Sequence, residues 1–291
     1  MRPANIVTAV ADILAGIAIA GYTAHANLFQ QHTSAVVLLV LSTIGLYGGG
    51  VVFNDVFDAD LDAVERPERP IPSGLISRKA ATILALLLLL GGVLAAAFVH
   101  PHDFFSTSFF WAATIAMASV IYDQWGKHHR FLGPLNMGLC RGLNLLLGMT
   151  IFSAALQQYW FLMFVPIIYI AAITAISRGE VHGGNSHTLK LAFVLYLIVI
   201  GSIGTIAFLN NTLLYALPFL VLFAALIFPP LLKAAQKPEG PRIGKAVKAG
   251  VLALIVMNAA WAAAFGSLVT AIIILLLLPL SLLLAKAFAV T

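Results

Sequence analysis

Charged side chains are scarce in this sequence. Asp, Glu, Lys and Arg make up 9% of the 291 residues, whereas 61% of the residues are hydrophobic. A soluble domain carries roughly 25% charged residues. Apolar runs of about 20 residues recur along this chain, and each is long enough to cross a bilayer. The composition therefore excludes a soluble protein and predicts a multi-pass helical membrane protein embedded in the lipid bilayer.

Cysteine and clustered basic residues are scarce as well. The single cysteine, Cys140, excludes an intrachain disulfide, and its apolar surroundings favour a small core residue. The net charge of +5 does not indicate nucleic-acid binding, because no basic stripe with interleaved aromatic residues is present. The first apolar run has neither a basic leader nor a small-residue cleavage pattern, so it is predicted to be a retained helix rather than a signal peptide.

Polar residues divide the apolar sequence into about ten candidate spans. Gly266 alone separates the last two, and Pro279 interrupts the final one, so nine spans are an alternative. No soluble domain or tandem repeat interrupts the series, and residues 1–291 are predicted to form one transmembrane domain. The ten candidates are residues 5–22, 35–53, 79–99, 104–121, 131–152, 160–176, 188–209, 213–232, 243–265 and 268–289.

Lys and Arg occupy alternate connections between these spans. They follow the second, fourth, sixth and eighth spans, whereas the connections at 25–34, 100–103, 154–159 and 210–212 contain neither. Arg2 and Lys286 place both termini with the basic loops. By the positive-inside rule, the basic loops and both termini are predicted to lie on the cytoplasmic side of the inner (plasma) membrane.

Carboxylates gather directly after the second span. Asn54, Asp58 and Asp62 are four residues apart, so a helical extension would place them in one row, with Asp55 beside it. Oxygen ligands with this spacing suit Mg²⁺, which takes one or two carboxylates and completes its shell with water and substrate phosphates. The spacing predicts that Asn54, Asp58 and Asp62 bind Mg²⁺.

Two arginines follow in the same loop. Arg66 and Arg69 precede the run Pro70-Ile-Pro-Ser-Gly74, and their planar side chains can bind a diphosphate through paired hydrogen bonds. In the alternative interpretation the loop is solvated, and its acids simply pair with the two arginines. A solvated loop needs neither the Asn-Asp start nor the proline-rich continuation, so the pattern favours a ligand site.

Arg141 lies inside the fifth span, together with Asn144. A charged side chain within a membrane is costly, which makes it a functional candidate by default. Ligand binding is one interpretation. A buried structural pair with one of the acids after the second span, or with helix-end carbonyls, is the equal alternative.

The acidic segment closely resembles a known family. The run Asn54-Asp55-x-x-Asp58-x-x-x-Asp62, followed by Arg69-Pro-Ile-Pro-Ser-Gly, resembles the first aspartate-rich motif of the UbiA superfamily of intramembrane prenyltransferases. This resemblance implies an all-α bundle of about nine helices around a central cavity. It also implies that the aspartates act with Mg²⁺ to ionise a polyprenyl diphosphate, whose allylic cation an aromatic or other acceptor then captures.

Two further elements extend the resemblance along the chain. Arg2-Pro-Ala-Asn5 with Asp12 resembles the first helix of the family, and Tyr122 with Lys127 resembles its element that contacts the diphosphate. These matches imply that Tyr122 and Lys127 bind substrate.

The connection after the sixth span departs from the family pattern. The family usually has a second aspartate-rich motif there, whereas this chain has Arg178, Glu180 and His182 in a glycine-rich loop. A guanidinium opposes a second metal ion, but Arg178 can instead bind the diphosphate itself. Glu180 and His182 would form at most a weak metal site.

This loop and residues 122–136 resemble one branch of the superfamily, EboC, which is encoded in bacterial ebo gene clusters. The branch implies partner proteins of the same operon and a secondary metabolite. The prediction is a transferase that moves a prenyl group from a polyprenyl diphosphate to a small aromatic or cyclic acceptor. The alternative, from another class, is a non-catalytic binding or export component that holds a lipidic or aromatic metabolite in the same cavity.

Overall fold

The computed structural model describes residues 3–21, 33–129, 132–178 and 186–288. Every regular element in these ranges is helical, which confirms the predicted all-α class. Short 3₁₀ turns at Gly126–His128 and Trp160–Met163 accompany the α-helices. The α-helices are α1 (Pro3–Ile19), α2 (Thr33–Phe57), α3 (Ala59–Glu65), α4 (Arg78–Ala97), α5 (Thr107–Gln124), α6 (Leu132–Met149), α7 (Ser153–Tyr159), α8 (Phe164–Ser177), α9 (Ser186–Leu209), α10 (Leu213–Gln236), α11 (Gly240–Ala264) and α12 (Leu268–Ala287).

Long helical segments in the described ranges correspond one to one with the ten predicted spans. Seven of them are long and apolar enough to cross a membrane, and α1 is a shorter apolar helix. The sixth segment was predicted to begin at Trp160, and this boundary is wrong. The polar pair Gln157-Gln158 interrupts the apolar run, but the backbone stays helical from Ser153, through the 3₁₀ turn, to Ser177.

Helix α11 lies at the centre of the bundle. Its residues from Ala253 to Ala264 are buried, and it contacts α1, α8, α9, α10 and α12. Alanine fills much of this stretch, so neighbouring backbones can approach closely, as small residues permit between membrane helices.

Two glycines bring α1 and α6 into close contact. A Cβ atom on Gly16 would lie 2.2 Å from the carbonyl oxygen of Leu145, and one on Gly148 would lie 2.4 Å from that of Ile13. Any larger residue at either position would force the helices apart. This approach is what allows polar side chains one turn away, on the same faces of α1 and α6, to meet.

Contacts between helix ends show which connections share a face of the bundle. An ion pair joins Asp58, after α2, to Lys127, after α5. The Ser281 hydroxyl of α12 donates a hydrogen bond to the Ala4 carbonyl of α1, 3.1 Å away, so the start of α1 lies beside the second half of α12. This arrangement agrees with the predicted alternation of loops. That the shared face is cytoplasmic stays a prediction from the Lys and Arg distribution.

Candidate active site

The acidic segment after α2 forms a row from two helices rather than from one extended helix. Helix α2 ends at Phe57, Asp58 occupies a turn, and α3 begins at Ala59. Helical hydrogen bonds nevertheless continue across the break, since the Asp58 amide donates to the Asn54 carbonyl at 3.0 Å and the Asp62 amide to the Asp58 carbonyl at 2.8 Å. The predicted four-residue repeat along one face is therefore kept in the backbone.

Each acid of the row is held by a cation. Arg69 Nη1 lies 2.7 Å from Asp62 Oδ2 and 3.5 Å from Asp55 Oδ1, and Lys127 Nζ pairs with Asp58 Oδ1. The side chains of Asp62 and Lys127 are only 7% and 12% exposed. The acidic segment is therefore not the solvated loop of the alternative interpretation.

The pairing differs from that interpretation in its partners. Arg69 does pair with the acids, as that interpretation proposed. Arg66, in contrast, is exposed at the end of α3, and no carboxylate of the described residues lies within salt-bridge distance of it. Lys127, which reaches Asp58 from a connection 69 residues away, was not foreseen as a partner.

Asp123 joins this cluster and was missed by sequence reasoning. Asn54 Nδ2 donates a hydrogen bond to Asp123 Oδ1 at 3.1 Å, and Asp123 is 4% exposed. The available signal was an acid between Tyr122 and Lys127, the pair already singled out. Side chains from the ends of α2 and α5 therefore meet in this cluster.

A cavity of about 290 Å³ opens beside these residues and runs into the bundle. Its mouth is formed by Asn54, Tyr122 and Asp123, and its floor by Thr43, Tyr47, Arg141 and Asn144. Asn54 and Thr43 are eleven residues apart on α2, which corresponds to about 16 Å along the helix. The wall between the two ends is largely apolar and includes Leu46, Val51, Ile115, Met137, Ile170, Ile173, Val251 and Leu254.

The floor is built around one buried carboxylate. Asp12 of α1, 1% exposed, accepts hydrogen bonds from Arg141 Nη1 at 2.8 Å and from Asn258 Nδ2 at 2.7 Å. Asn144 Nδ2 adds a longer contact of 3.3 Å. Helices α1, α6 and α11 are thereby tied together by polar contacts inside the bundle.

Arg141 fulfils the structural one of the two roles that the sequence left open. It forms a buried pair, but the partners proposed for it were wrong, because the carboxylate comes from α1 rather than from the segment after α2. Its Nη2 donates to Thr8 at 2.6 Å, and its guanidinium carbon lies 5.4 Å from the centre of the Tyr47 ring. It also lines the cavity, so ligand contact stays compatible with its position.

The structure locates some, but not all, of the remaining candidate residues. Tyr122 lines the mouth, and its hydroxyl lies 3.9 Å from Met137 Sδ. Arg178 follows α8 and is exposed. Glu180 and His182 lie outside the described residues. Within the described ranges, no group of three His, Cys, Asp or Glu side chains converges as a ready metal site.

One known protein family matches this sequence over most of its length. The model of the UbiA prenyltransferase family matches residues 10–229. This stretch contains the acidic row, Lys127, Asp12 and all four residues that form the floor of the cavity. The chain belongs to this UbiA family.

Curated relatives of this UbiA-family protein carry the name digeranylgeranylglyceryl phosphate synthase. One from Methanothrix thermoacetophila is 44% identical over 100 residues, which cover 34% of this chain and 35% of the relative. One from Methanothermobacter thermautotrophicus is 27% identical over 240 residues, which cover 80% and 79%. The first four relatives are matched over only 35% to 58% of their length.

A solved structure shows the same fold. The apo structure of a UbiA homologue from Aeropyrum pernix K1 superimposes with a TM-score of 0.67, over 89% of this chain and 98% of that one, at 14% identity. The names found among the relatives do not support the narrower resemblance to the EboC branch, which stays a prediction.

Proposed function

We propose that this UbiA-family protein binds a polyprenyl diphosphate at the mouth of the cavity and transfers its prenyl group to a hydroxyl-bearing acceptor inside. The observation that carries the proposal is the row Asn54, Asp58 and Asp62, whose first member, Asn54, lines a cavity with an apolar wall. A phosphate-binding end and an apolar interior are the two environments that a prenyl diphosphate requires.

Asp58 and Asp62, with the side-chain amide oxygen of Asn54, are the groups that would hold Mg²⁺. Their oxygen chemistry fits this ion, which needs one or two carboxylates and takes its other ligands from water and phosphate. Bound there, Mg²⁺ would supply the charge stabilisation that a departing diphosphate needs.

Lys127 and Arg69 change partners when the substrate binds. Both now neutralise the acids of the row. With Mg²⁺ held by Asp58 and Asp62, the two side chains would be available to donate charge-assisted hydrogen bonds to the diphosphate. Tyr122, at the same mouth, adds a hydroxyl donor, and Arg66 and Arg178 are further cations that would contact the phosphates.

The interior protects the reacting group. The apolar wall excludes water, which would otherwise capture the allylic cation. The ring of Tyr47, already stacked with the Arg141 guanidinium, can stabilise positive charge through its face.

The acceptor is best described by the relatives rather than by the aromatic or cyclic class expected from the sequence. The name digeranylgeranylglyceryl phosphate synthase describes proteins whose product joins prenyl groups to glyceryl phosphate. A glycerophosphate lipid with a free hydroxyl is therefore the acceptor class that we propose here, and the aromatic class is set aside.

A non-catalytic function in binding or export is the second candidate. One observation favours it: the acids of the row already have cationic partners. Such a component would hold a lipidic metabolite without forming a bond, beside partner proteins of an ebo-type system.

Diphosphate release separates the two candidates. Purified protein would be incubated with Mg²⁺, labelled geranylgeranyl diphosphate and an alkylglycerol phosphate, and the diphosphate released would be measured. We expect release that requires both Mg²⁺ and the acceptor. Binding of the prenyl diphosphate without any release would support the non-catalytic candidate instead.

A further inference from the structure

The floor of the cavity contains a buried charge pair that cancels. Asp12 is 1% exposed and the side chain of Arg141 is 10% exposed, and their closest atoms are 2.8 Å apart. Asp12 itself does not line the cavity, and among the lining residues other than Arg141, Asp123 is the one with a charged side chain, at the mouth. The floor therefore carries no net charge.

The floor still offers hydrogen-bond donors to a ligand. Arg141 uses Nη1 for Asp12 and Nη2 for Thr8, but a guanidinium has more N–H groups than these. Within the described part of the chain, its remaining N–H groups have no acceptor, and Arg141 lines the cavity. Tyr47 lines the same cavity.

An anion at this position would be disfavoured. It would give the cluster of Asp12, Arg141 and the ligand a net negative charge in largely apolar surroundings, and burying an uncompensated charge is costly. An uncharged oxygen accepts the same hydrogen bonds without that penalty.

We infer that the floor binds an uncharged oxygen of the acceptor, such as a hydroxyl or an ether, and rejects anionic groups, and that Asp12 is the residue that sets this preference. The inference rests on the proposed function and deepens it. It assigns Asp12 a part in specificity although Asp12 does not itself line the cavity.

The inference also orients the acceptor. Tyr47 and Asn54 are separated by two turns of α2, about 10 Å, which matches the length of a small head group. The glycerol oxygens would lie toward Arg141. The phosphate would lie toward the mouth, where Lys127 and Arg69 provide positive charge.

The test compares two amphiphiles that differ in one head group. The probes are octyl glyceryl ether, which is neutral, and a matched octyl ether that carries a carboxylate in place of the terminal hydroxymethyl group. Mg²⁺ and inorganic diphosphate are added to fill the mouth. Dissociation constants follow from the thermal stabilisation of the purified protein as a function of probe concentration.

We expect the natural protein to bind the neutral probe about tenfold more tightly than the carboxylate, and Asp12→Asn to remove or reverse this preference. Ser108→Ala is the matched control, because it removes the buried 2.7 Å hydrogen bond from Ser108 to Thr150, away from the residues that line the cavity, without a change of charge, and it should keep the preference. Equal probe ratios in Asp12→Asn and the natural protein would overturn the inference.

A second variant covers the case in which Asp12→Asn does not fold. The double variant Asp12→Asn with Arg141→Gln leaves the floor uncharged, as in the natural protein, and should still prefer the neutral probe. A preference for the carboxylate in that variant would also contradict the inference. Binding of Mg²⁺ and diphosphate, measured first, reports on the mouth alone, so failure of the proposed function is distinguishable from failure of this inference.

Discussion

The mouth and the floor of the cavity both hold opposite charges, but in different ways. At the mouth, Asp58 and Lys127 are 19% and 12% exposed and are supplied by connections after helices. At the floor, Asp12 is 1% exposed and receives hydrogen bonds from two other helices. Pairs at the mouth can be exchanged for ligands, whereas breaking the pair at the floor would leave a charge buried.

The two kinds of pair show two functions that an ion pair can have in a membrane protein: ligand exchange and the fixation of helices. A pair beside a ligand site can open when the ligand binds, because Mg²⁺ and phosphate replace the lost partners. A buried pair resists opening, because either member alone would be a charge without solvent or a partner. The mouth is therefore suited to binding and releasing diphosphate, and the floor to holding α1, α6 and α11 in a fixed relation.

Arg141→Ala should produce the largest effect because it leaves Asp12 without its cation. We expect a loss of about 3–5 kcal/mol in the free energy of unfolding, measured by denaturation in detergent. The double variant Asp12→Leu with Arg141→Met removes both charges and should recover much of that loss. If Arg141→Ala cost less than about 1 kcal/mol, the contrast between mouth and floor would fail.

Arg178→Asp tests whether the altered loop after α8 serves the mouth. If Arg178 contacts the diphosphate, the change should weaken diphosphate binding by about 2–3 kcal/mol, since it removes a bidentate donor and adds a negative charge. Titration calorimetry with Mg²⁺ and inorganic diphosphate measures the effect, and Arg178→Lys, which keeps the charge, is the control. Raised Mg²⁺ affinity would instead indicate a weakened second metal site, and unchanged binding would remove the loop from the site.

Lys127→Met should have effects of opposite sign on the two ligands. Diphosphate affinity should fall by about 1.5–3 kcal/mol, the range for a hydrogen bond to a charged group. Mg²⁺ affinity without diphosphate should rise, because Asp58 loses its competing cation. Lys248→Met, an exposed change on α11, provides the control. A fall in both affinities would contradict the proposed exchange of partners.

Arg78→Ala should have the smallest effect. Arg78 and Asp60 form a pair 3.2 Å apart whose side chains are 51% and 86% exposed. Exposed pairs contribute at most about 1 kcal/mol, so stability and diphosphate binding should both be nearly unchanged. A large loss would show that exposure does not distinguish the pairs of this protein.

Local patterns in the sequence were sufficient for the spans and for the acidic row. A span is a continuous apolar run, and the spacing of Asn54, Asp58 and Asp62 is set by one turn of helix. The break at Asp58 was not foreseen, and neither was the helical start at Ser153, where polar glutamines obscure the apolar pattern.

Long-range partners could not be predicted in the same way. Asp12 and Arg141 are 129 residues apart, and their contact depends on the close approach of α1 and α6 at Gly16 and Gly148. Asp123 and Asn54 are 69 residues apart. The composition of each helix shows that such polar residues need partners, but the packing of the bundle decides which partners they find.

The central claim is that the acidic row holds a divalent cation that binds diphosphate. Two similar changes within α3 test it most directly: Asp62→Asn removes a carboxylate of the row, and Asp60→Asn removes an exposed one nearby. Thermal protection by a non-hydrolysable prenyl diphosphate analogue would be measured with and without Mg²⁺. The account predicts Mg²⁺-dependent protection in the natural protein and in Asp60→Asn, and its loss in Asp62→Asn. Full protection in Asp62→Asn would contradict it.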